Sequence, residues 1–590
     1  MAQEEKEQAP NLTDSDSGPE SDEEAEEDGC GDTDDEKADA PPPGGPVVWE
    51  STTFEEQKGD MRQWRPPETL PAPENTGATG FGTRHYDPTP GNVFRAFVPD
   101  TMLAQFATAS TAYAASEAAI KASRSSARVS SPIQGERPEQ MSGSNVYVPD
   151  DILDFILCSF AMGIVQLPRV RQYWHGALKQ PYVRRIMTYA RYVALCKHLH
   201  WINTAAVSAQ EQATRAKEDG FWKLGDFVPL LSGLFQRLRV SRRNLTLDEF
   251  TIPLRGRHRC KCFNPNKPCR YHLKGYSLNE AETGYCLCFF MYQGRDEKRP
   301  AGVTATTWPT LKLIGGYKAL HNKNYILWAD NWFSGLPAIQ VCVDNGLDYV
   351  GTARANRLGG AFKGAADAKK WDRGKYRAEK AQVGGKDVWA IQWKDSKLVS
   401  VLSTIESVVG TTKRKMVDKK TKEYTNNAIT IPAIYSAYNF GKVGTDRMDQ
   451  QVGVYYKNRR LRWPVKTVVH LMYITLTNAH VSYRSLKEAH MPLLEYIMAL
   501  IDELKPAGKD SGLAQAHLHT PTTGDLKKRK KSEAAKPADR NRGNRGKCFM
   551  CKSSVSTRCM ECNKWLHIPC YGRTKDCWTE WHTRNANESD

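Results

Sequence analysis

The sequence predicts a multidomain protein in which a mixed α/β region lies between helical segments and is followed by a small metal-binding module. Three observations lead to this fold class. Residues 85–245 and 456–505 place apolar side chains at helical spacing. Between them, short apolar strands alternate with helices, which is typical of α/β proteins. The final segment, residues 547–590, contains six of the fifteen cysteines.

The N-terminal segment, residues 1–84, is predicted to be a disordered acidic tail. Its first 40 residues carry 17 acidic and 2 basic side chains and few large apolar ones, too little to offset the entropy lost on ordering. Ser17 and Ser21 each stand three residues before a glutamate, so an acid-directed kinase is a predicted partner. A purely solubilising tail is the alternative. The start lacks the apolar stretch of a secretory signal, and no apolar run of about 18 residues predicts a membrane span.

The rest of the chain is strongly basic. The net charge of +16 combines −15 in residues 1–40 with +31 in the remainder. Such an excess indicates a polyanionic partner, with nucleic acid as the first candidate, although a solvated surface with scattered lysines is the plainer interpretation. Residues 506–546 are predicted to be a basic linker, and direct phosphate contact by this linker is also open. A nuclear-import signal, and hence a nuclear location, is predicted from Lys527, Lys528, Arg529, Lys530 and Lys531.

The middle of the chain divides into an α/β region and an insertion. Residues 246–352 and 432–455 contain strand-like runs, among them "TGYCLCFFMYQG" and "YILWADNWFSG", the second ending at an aspartate. Residues 353–431 are rich in Lys, Gly and Ala and are predicted to be an inserted domain. Cys260, Cys262 and Cys269 lie near one another in this sequence, and buried or free thiols are favoured there over a metal site.

Aspartates that end strands or begin a helix are the candidate catalytic groups. They are Asp248 in "LTLDEF", Asp330 in "ILWAD", and Asp446 with Asp449 in "GTDRMDQ". The i, i+3 spacing of the last two puts them on one helix face, although acidic residues also stabilise a first helical turn through the helix dipole. Clustered carboxylates favour a divalent cation, and two Mg²⁺ ions suit phosphodiester chemistry. Spacing alone does not show that these residues converge.

Six segments in order resemble the piggyBac family of transposases. They are "GIVQLPRVRQYWHGALKQPYVRRIMTYARYVALCKHLHWIN", "LTLDEF", "LRGRHRCKCFNPNKPCRYHLKGYSL", "ILWADNWFSGLP", "GTDRMDQ" and "YYKNRRLRWPVKTVVHLMYITLTNAHVSYR". The resemblance runs from about Phe94 to about Leu504, with the terminal Cys/His module as a further match. The segments "STAYAA" and "HLKGYSL" differ from the usual sequence of the family, which leaves the specificity for transposon ends open.

The resemblance implies an RNase H-like catalytic core with a DDD site at Asp248, Asp330 and Asp446, and Asp449 as a nearby fourth acid. It also implies cut-and-paste transposition at TTAA targets, through hairpins on the transposon ends, with Mg²⁺ as cofactor and Mn²⁺ as a substitute. The helical segments 85–245 and 456–505 would form one dimerising, DNA-binding domain that the catalytic core splits. Double-stranded DNA and a second copy of the chain are therefore the expected partners.

Basic residues near these motifs are predicted to contact DNA phosphates. The predicted contacts are Arg255, Arg257, Arg259, Lys267, Lys274, Asn331, Arg459, Arg460 and Arg462. Trp463 is more often a core residue than a groove residue in such a context, and Asn331 with Trp332 can equally serve packing.

The terminal module has the spacing C-x2-C-x7-C-x2-C-x4-H-x2-C-x6-C-x4-H, a strong signal for two structural zinc ions. The predicted ligands are Cys548, Cys551, Cys559, Cys562, His567, Cys570, Cys577 and His582. A cross-brace, as in PHD and RING modules, would pair Cys548, Cys551, His567 and Cys570 on one ion. Because so short a segment supplies little core, zinc would provide much of its folding free energy. The spacing alone leaves a histone-tail reader or a ubiquitin ligase open, and the family resemblance favours binding of transposon-end DNA.

The predicted function is therefore a DNA transposase that nicks and joins DNA. A transposase-derived chromatin protein that binds DNA without cutting it is the alternative. The intact aspartates favour the enzyme, because a binding module has no need of them.

Overall fold

The computed structural model describes residues 47–66, 77–78, 88–126, 145–294, 298–417 and 424–506, together with short stretches between 521 and 559. The chain divides into two compact units, Met1–Lys505 and Pro506–Asp590. Across the described residues, every helix is too short or too polar to cross a bilayer.

The helices occupy mainly the two ends of the first unit. They are α1 (Pro90–Phe97), α2 (Asp100–Ser126), α3 (Pro149–Ile164), α4 (Pro181–Ile186), α5 (Tyr189–His198), α6 (Ala209–Glu218), α7 (Phe227–Leu238), α8 (Trp308–Thr310), α9 (Leu336–Asp344), α10 (Ile434–Gly441), α11 (Gly444–Tyr455), α12 (Trp463–Lys487) and α13 (Leu493–Leu504). Proline occupies the first turn of α1, α3, α4, α9 and α12, where its missing N–H costs nothing.

Most strands lie between α7 and α10. They are β1 (Glu50–Thr52), β2 (Glu56–Asp60), β3 (Asn244–Pro253), β4 (Lys261–Phe263), β5 (Tyr271–Glu280), β6 (Cys286–Met291), β7 (Ile326–Ala329), β8 (Asp348–Thr352), β9 (Tyr376–Val383), β10 (Lys386–Lys394), β11 (Leu398–Ser403), β12 (Val409–Val417), β13 (Tyr424–Pro432), β14 (Pro521–Thr523), β15 (Gly546–Lys547), β16 (Ser554–Val555) and β17 (Thr557–Cys559).

One ten-stranded mixed sheet organises the first unit. Its order is β1-β9-β10-β11-β8-β7-β3-β5-β4, and β6 also pairs with β5. Strands β3, β7 and β8 run parallel to one another, whereas β5 is antiparallel to β3 and β6 is antiparallel to β5. The pairing of these parallel strands ends at Leu247, Ala329 and Gly351, so the residues that follow these three positions lie side by side.

The sheet is buried on both faces, which accounts for its continuous apolar strands. Along β7 the side chains alternate: Ile326 and Trp328 belong to one apolar cluster, and Leu327 and Ala329 to another. The helix α10 covers the first face, and α7 and α12 cover the second. The strands predicted at "TGYCLCFFMYQG" and "YILWADNWFSG" are confirmed as β6 and β7.

Helices from the two ends of the first unit pack together. Tyr496 in α13 donates a hydrogen bond to the carbonyl of Pro90 at 3.2 Å, and Tyr473 in α12 donates to the carbonyl of Ser159 at 2.7 Å. Phe160 packs edge-on against Tyr473, with ring centroids 5.0 Å apart. The segments before and after the sheet therefore share one helical layer.

Three boundaries differ from the sequence prediction. Residues 50–60, predicted within the disordered tail, form β1 and β2, because β9 and β12 offer them open edges for pairing. Strands β9–β11, predicted within a separate insertion, extend the main sheet through the pairing of β11 with β8, and only β12 and β13 form a sheet apart, with β2. In the second unit, residues 521–523 of the predicted linker pair with β17 as β14.

Candidate active site

Two of the candidate aspartates lie where the pairing of two parallel strands ends. Asp248 is within β3, which continues to Pro253, and Asp330 directly follows β7. In the register of β3 and β7, Leu247 lies opposite Ala329. The next residues are Asp248 and Asp330, so both carboxylates emerge at the carboxyl edge of the sheet. In the register of β7 and β8, Ala329 lies opposite Gly351, so Thr352 follows as the third polar residue in this row.

Local hydrogen bonds orient both carboxylates. The backbone N–H of Glu249 donates to Asp248 Oδ1 at 2.7 Å, and the N–H of Trp332 donates to Asp330 Oδ1 at 2.8 Å. Ser334 Oγ donates to the Asp330 carbonyl at 2.9 Å, which ties the turn after β7 to the helix that follows. These bonds restrict the side chains before any ligand binds.

Helix α11 brings Asp446 to the same edge. Its first residue, Gly444, donates an N–H to Thr246 Oγ1 at 3.1 Å, and Thr246 donates to the carbonyl of Gly441 at 2.6 Å. A Cβ on Gly444 would meet Thr246 Oγ1 at 2.6 Å, and one on Gly441 would meet the Trp328 ring at 2.1 Å. Both glycines therefore permit the close approach of α10 and α11 to the sheet.

The carboxylates act on one another electrostatically. Burial, and then the charge of Asp330, raises the pKa of Asp248 well above its ordinary value, with a smaller contribution from Asp446. Burial also raises the pKa of Asp330. Burial raises the pKa of Asp449 to about 7, against the opposing influence of Lys267. Such shifts mark carboxyl groups whose negative charges lack a compensating cation.

Glu249 is an additional acidic residue that the sequence prediction passed over, although it directly follows Asp248. Burial raises its pKa, but Lys267 and Lys274 outweigh that effect and the net pKa is lowered. Lys267 forms an ion pair with Glu249. The ammonium group of Lys267, which was predicted to contact a DNA phosphate, is thus engaged in an ion pair with Glu249.

Lys274 is buried, with 6% of its surface exposed. Its ammonium lies 4.6 Å from the ring centroid of Tyr292, 5.3 Å from that of Tyr276 and 5.4 Å from that of Trp332. This burial contradicts the prediction that Lys274 contacts DNA. Its cation–π contact stabilises the position of the Trp332 ring. The backbone N–H of Trp332 in turn donates to the Asp330 carboxylate.

Tyr438 in α10 is a second residue that the sequence prediction missed. Its hydroxyl lies 3.1 Å from Thr352 Oγ1, at the end of the row of polar residues. Burial raises its pKa, and the charges of Asp330, Asp248 and Asp446 add to this effect. No local pattern indicated this residue, because it lies more than 80 positions from the strand end it contacts.

The carboxylates fit a hard divalent cation by donor type, since Mg²⁺ prefers oxygen ligands. In the described part of the chain, however, no three His, Cys, Asp or Glu side chains converge closely enough to hold one ion. The unusually high pKa of Asp248 beside Asp330 is the observation that fits a missing positive charge. Asp248 and Asp330 are thus the best-placed pair of ligands, and Asp446 lies within electrostatic reach of Asp248.

The predicted DNA contacts divide into exposed and structural side chains. Arg255, Arg257, Arg460 and Asn331 are exposed. Arg354, which was not predicted, is also exposed, and its Nε donates to Asn331 Oδ1 at 3.3 Å beside Asp330. Arg259 is exposed too, but it donates to the carbonyls of Ala216, Lys217 and Gln293, so it caps the end of α6.

Arg459 and Arg462 face the helical layer. Arg459 donates to the Tyr192 hydroxyl at 2.8 Å and lies 5.3 Å from the Tyr173 ring centroid, and Arg462 donates to the carbonyl of Lys197. These contacts give both arginines a structural role, and their contact with DNA stays a prediction. Trp463 packs at the start of α12 against His258 and Phe221, at 4.5 and 5.8 Å between ring centroids.

The described part of the second unit includes two of the predicted zinc ligands. Strand β15 pairs with β16, and Cys548, which directly follows β15, is buried and not in a disulfide. Cys559 ends β17. The other predicted ligands (Cys551, Cys562, His567, Cys570, Cys577 and His582) lie outside the described residues, as do Lys527–Lys531. In the first unit, Cys260 and Cys262 are buried and form no disulfide, as predicted.

Comparison with known proteins identifies relatives. A family model described as Transposase IS4 matches residues 89–480. The human "PiggyBac transposable element-derived protein 3" is 22% identical over 433 residues, which cover 70% of this chain and 68% of that protein. The human "Chimeric ERCC6-PGBD3 protein" is also 22% identical over 433 residues, but the match spans 38% of its length.

The fold is similar to that of a piggyBac transposase solved by cryo-EM in a synaptic complex with hairpin DNA. The two agree with a TM-score of 0.56 and 19% identity, over 83% of this chain and 99% of that one. The family model spans well over half of the sequence. The chain therefore belongs to the Transposase IS4 family, and to its piggyBac type.

Proposed function

We propose that this protein is a metal-dependent DNA transposase that excises and inserts DNA at TTAA sites. The observation that carries the proposal is the neighbouring position of Asp248 and Asp330, which follow the last paired residues of β3 and β7. Asp446 is held nearby by the contact of α11 with Thr246. Burial and mutual repulsion raise the pKa of Asp248 and burial raises that of Asp330, as expected of groups that await a cation.

The order of the strands supports an RNase H-like core. In the succession β6-β5-β3-β7-β8, three antiparallel strands are followed by two that run parallel to β3. In chain order, Asp248 lies on the first of these strands, Asp330 directly follows the fourth, and Asp446 lies on a helix that follows the sheet. This arrangement agrees with the catalytic core implied by the family resemblance.

The chain's own residues would position the reacting groups. Asp248 and Asp330 would bind the cations, two Mg²⁺ or Mn²⁺, with Asp446 as the third ligand and Asp449 as a nearby acid. When bound, such ions activate an attacking oxygen and stabilise the leaving one. The backbone N–H groups of Glu249 and Trp332 would keep the carboxylates of Asp248 and Asp330 in position, and Tyr438 with Thr352 would close the end of the row.

The reaction sequence is a set of phosphodiester exchanges. Water would nick the transposon end and release a 3′-hydroxyl. That hydroxyl would attack the opposite strand to form a hairpin, and, after the hairpin opens, would attack the TTAA target. Each step breaks one phosphorus–oxygen bond and forms another at the same phosphate, so one set of carboxylates can serve every step.

DNA is the proposed partner, and a homodimer the proposed assembly. The exposed side chains of Arg255, Arg257, Arg354 and Arg460 would neutralise backbone phosphates. The related cryo-EM structure is, by its title, a complex with hairpin DNA, which supports a DNA substrate of this kind.

The second unit would bind two structural zinc ions and hold transposon-end DNA. The burial of Cys548 fits a thiolate ligand of a closed site. Lys527–Lys531 would direct the protein to the nucleus. An acid-directed kinase would phosphorylate Ser17 and Ser21.

The deciding experiment is an excision assay in cells with a reporter that carries the element's own ends around TTAA. Seamless excision by the wild type, lost in Asp248→Asn, Asp330→Asn and Asp446→Asn, would establish the enzyme. Absence of excision with DNA binding retained would instead establish a transposase-derived protein that only binds DNA.

A further inference from the structure

A basic cavity of about 620 Å³ opens beside α11, away from the carboxylate edge. Its walls come from the end of α7, the turn after β5, one face of α11 and the end of α12. Arg447, Gln450 and Gln451 line it, whereas Asp446 and Asp449 do not. At 100° per residue the two sets occupy different faces of α11.

The charge of the cavity is predominantly positive. Four arginines line it, namely Arg239, Arg242, Arg447 and Arg484, together with His490, against the two acids Glu282 and Glu488. One of these arginines, Arg239, is paired with Glu280. Glu282 Oε1 accepts a hydrogen bond from Asn244 at 2.7 Å, and burial raises the pKa of this carboxyl. An anion in the cavity would therefore face more attraction than repulsion.

Arg239 is the most firmly placed of the four arginines. It is 2% exposed, and its Nη2 donates to Glu280 Oε2 at 2.7 Å in a fully buried ion pair. Glu280 also accepts the backbone N–H of Arg242 at 2.8 Å. This leaves Arg239 Nε and Nη1 without a hydrogen-bond partner among the described residues, and the same holds for Arg447 Nε.

Buried arginine N–H groups without partners cost free energy, so a ligand that accepts several of them would be stabilising. A phosphate presents oxygens in a geometry that suits the planar guanidinium fork, and arginine–phosphate bonds are among the stronger hydrogen bonds in proteins. The cavity is large enough for one or more phosphate groups, but it is lined mainly by polar side chains and thus suits no apolar ligand.

We propose that this cavity binds a phosphate group, supplied either by the DNA backbone outside the cleavage site or by a free polyphosphate. A bound phosphate would bridge α7, α11 and α12 through Arg239, Arg447 and Arg484. Because Arg447 directly follows Asp446, occupancy would also restrict the helix that presents this carboxylate. The proposal concerns binding alone and holds whether or not the chain cuts DNA.

Titration calorimetry of the full chain with inorganic triphosphate, in phosphate-free buffer, tests the site. The variant is Arg242→Glu combined with Arg484→Glu, since both side chains are exposed and their replacement leaves the core intact. Arg237→Glu is the matched control, because Arg237 is an exposed arginine near the end of α7 that does not line the cavity. We expect triphosphate binding to weaken at least about tenfold in the double variant and to stay unchanged in the control.

A DNA arm distinguishes the two sources of phosphate. If the backbone is the ligand, the double variant binds a transposon-end duplex more weakly, and the slope of log K against log salt falls by about 0.9 for each phosphate that is no longer neutralised. If triphosphate binding weakens while DNA affinity and slope match the Arg237→Glu control, the ligand is a free polyphosphate.

The result that overturns the proposal is wild-type binding of triphosphate that is absent or no stronger than in the double variant. Circular dichroism of each variant checks the fold, and the milder Arg484→Gln repeats the test if the double variant is misfolded. Asp248→Asn should bind triphosphate as the wild type does, which separates this site from the proposed catalytic one.

Discussion

Two buried carboxylates on one pair of strands, Glu280 at the end of β5 and Asp248 in the middle of β3, have opposite electrostatic surroundings. Strands β3 and β5 pair from Leu245 opposite Glu280 to Pro253 opposite His272. Near one end, Glu280 is fully buried, but Arg239, the N–H of Arg242 and the hydroxyl of Thr283 all donate to it. Further along β3, Asp248 faces Asp330, and no arginine or lysine in the described part of the chain forms an ion pair with it that compensates its charge.

This difference distinguishes a carboxylate that stabilises the fold, Glu280, from one that is proposed to serve function, Asp248. A buried carboxylate saturated by donors stabilises the fold as part of a network, and removing one partner leaves an uncompensated charge. A carboxylate that repels its neighbour destabilises the fold until a cation arrives, so its retention is explained by what it binds. The comparison predicts opposite effects of similar substitutions at Glu280 and Asp248.

The largest expected effect is the loss of cleavage in Asp248→Asn. Excision should fall by about 10³-fold or more, since a neutral amide replaces a proposed cation ligand. The melting temperature of the metal-free protein should not fall, because the substitution removes a repulsion with Asp330. Asp344→Asn, at an exposed position in α9, is the control and should keep both activity and stability. A fall in melting temperature as large as that in activity would contradict the comparison.

Substitution of Glu280 should instead change the stability of the protein. Glu280→Gln removes the partner of a buried arginine, and we expect a loss of about 3–5 kcal/mol in the free energy of unfolding, measured by denaturant titration of the purified protein. Glu218→Gln, on the exposed face of α6, should change it by no more than about 0.5 kcal/mol. Equal stability of the two variants would show that the Arg239–Glu280 pair is not needed for folding.

The uncompensated carboxylates should also make the stability of the protein depend on pH. With its pKa raised to about 7 in the fold, Asp449 contributes stability that is fully present below its unfolded value of about 4 and is lost as pH rises through about 7. In the presence of a chelator, Asp449→Asn should therefore raise the melting temperature by a few degrees at pH 8 and leave it nearly unchanged at pH 4. A gain that is equal at both pH values would rule out this titration.

The smallest expected effect concerns Tyr438. Its hydroxyl contacts Thr352 beside the carboxylates, so Tyr438→Phe should slow excision about tenfold, or about 1.4 kcal/mol, with DNA affinity unchanged. Tyr435→Phe in the same helix is the control, because its hydroxyl donates to the carbonyls of Ile391 and Val399 and serves packing. It should lower stability and leave the excision rate of the folded protein intact. Identical rates for Tyr438→Phe and the wild type would make its hydroxyl purely structural.

Much of this protein could be predicted from local patterns. Strands β6 and β7 are continuous apolar runs, α12 carries apolar residues at helical spacing, and the aspartate after β7 is marked by the end of its strand. Local patterns failed where a segment's state depends on a distant partner. Residues 50–52 lack any apolar alternation and become a strand only because β9 presents an edge. Lys274 and Arg459 carry the charge of DNA contacts, but aromatic side chains from other elements enclose them.

The sequence by itself determined the identities of the acidic residues, the periodicity of the helices and the family resemblance, because these properties reside in residue types and their spacing. Tertiary structure alone decided that Asp248, Asp330 and Thr352 form one row, and that α11 contacts this row through Thr246. It also decided that an arginine compensates the charge of Glu280 and that no such partner compensates the charge of Asp248 among the described residues. The physical reason is that pKa, burial and hydrogen bonding depend on distances between side chains that are far apart in the chain.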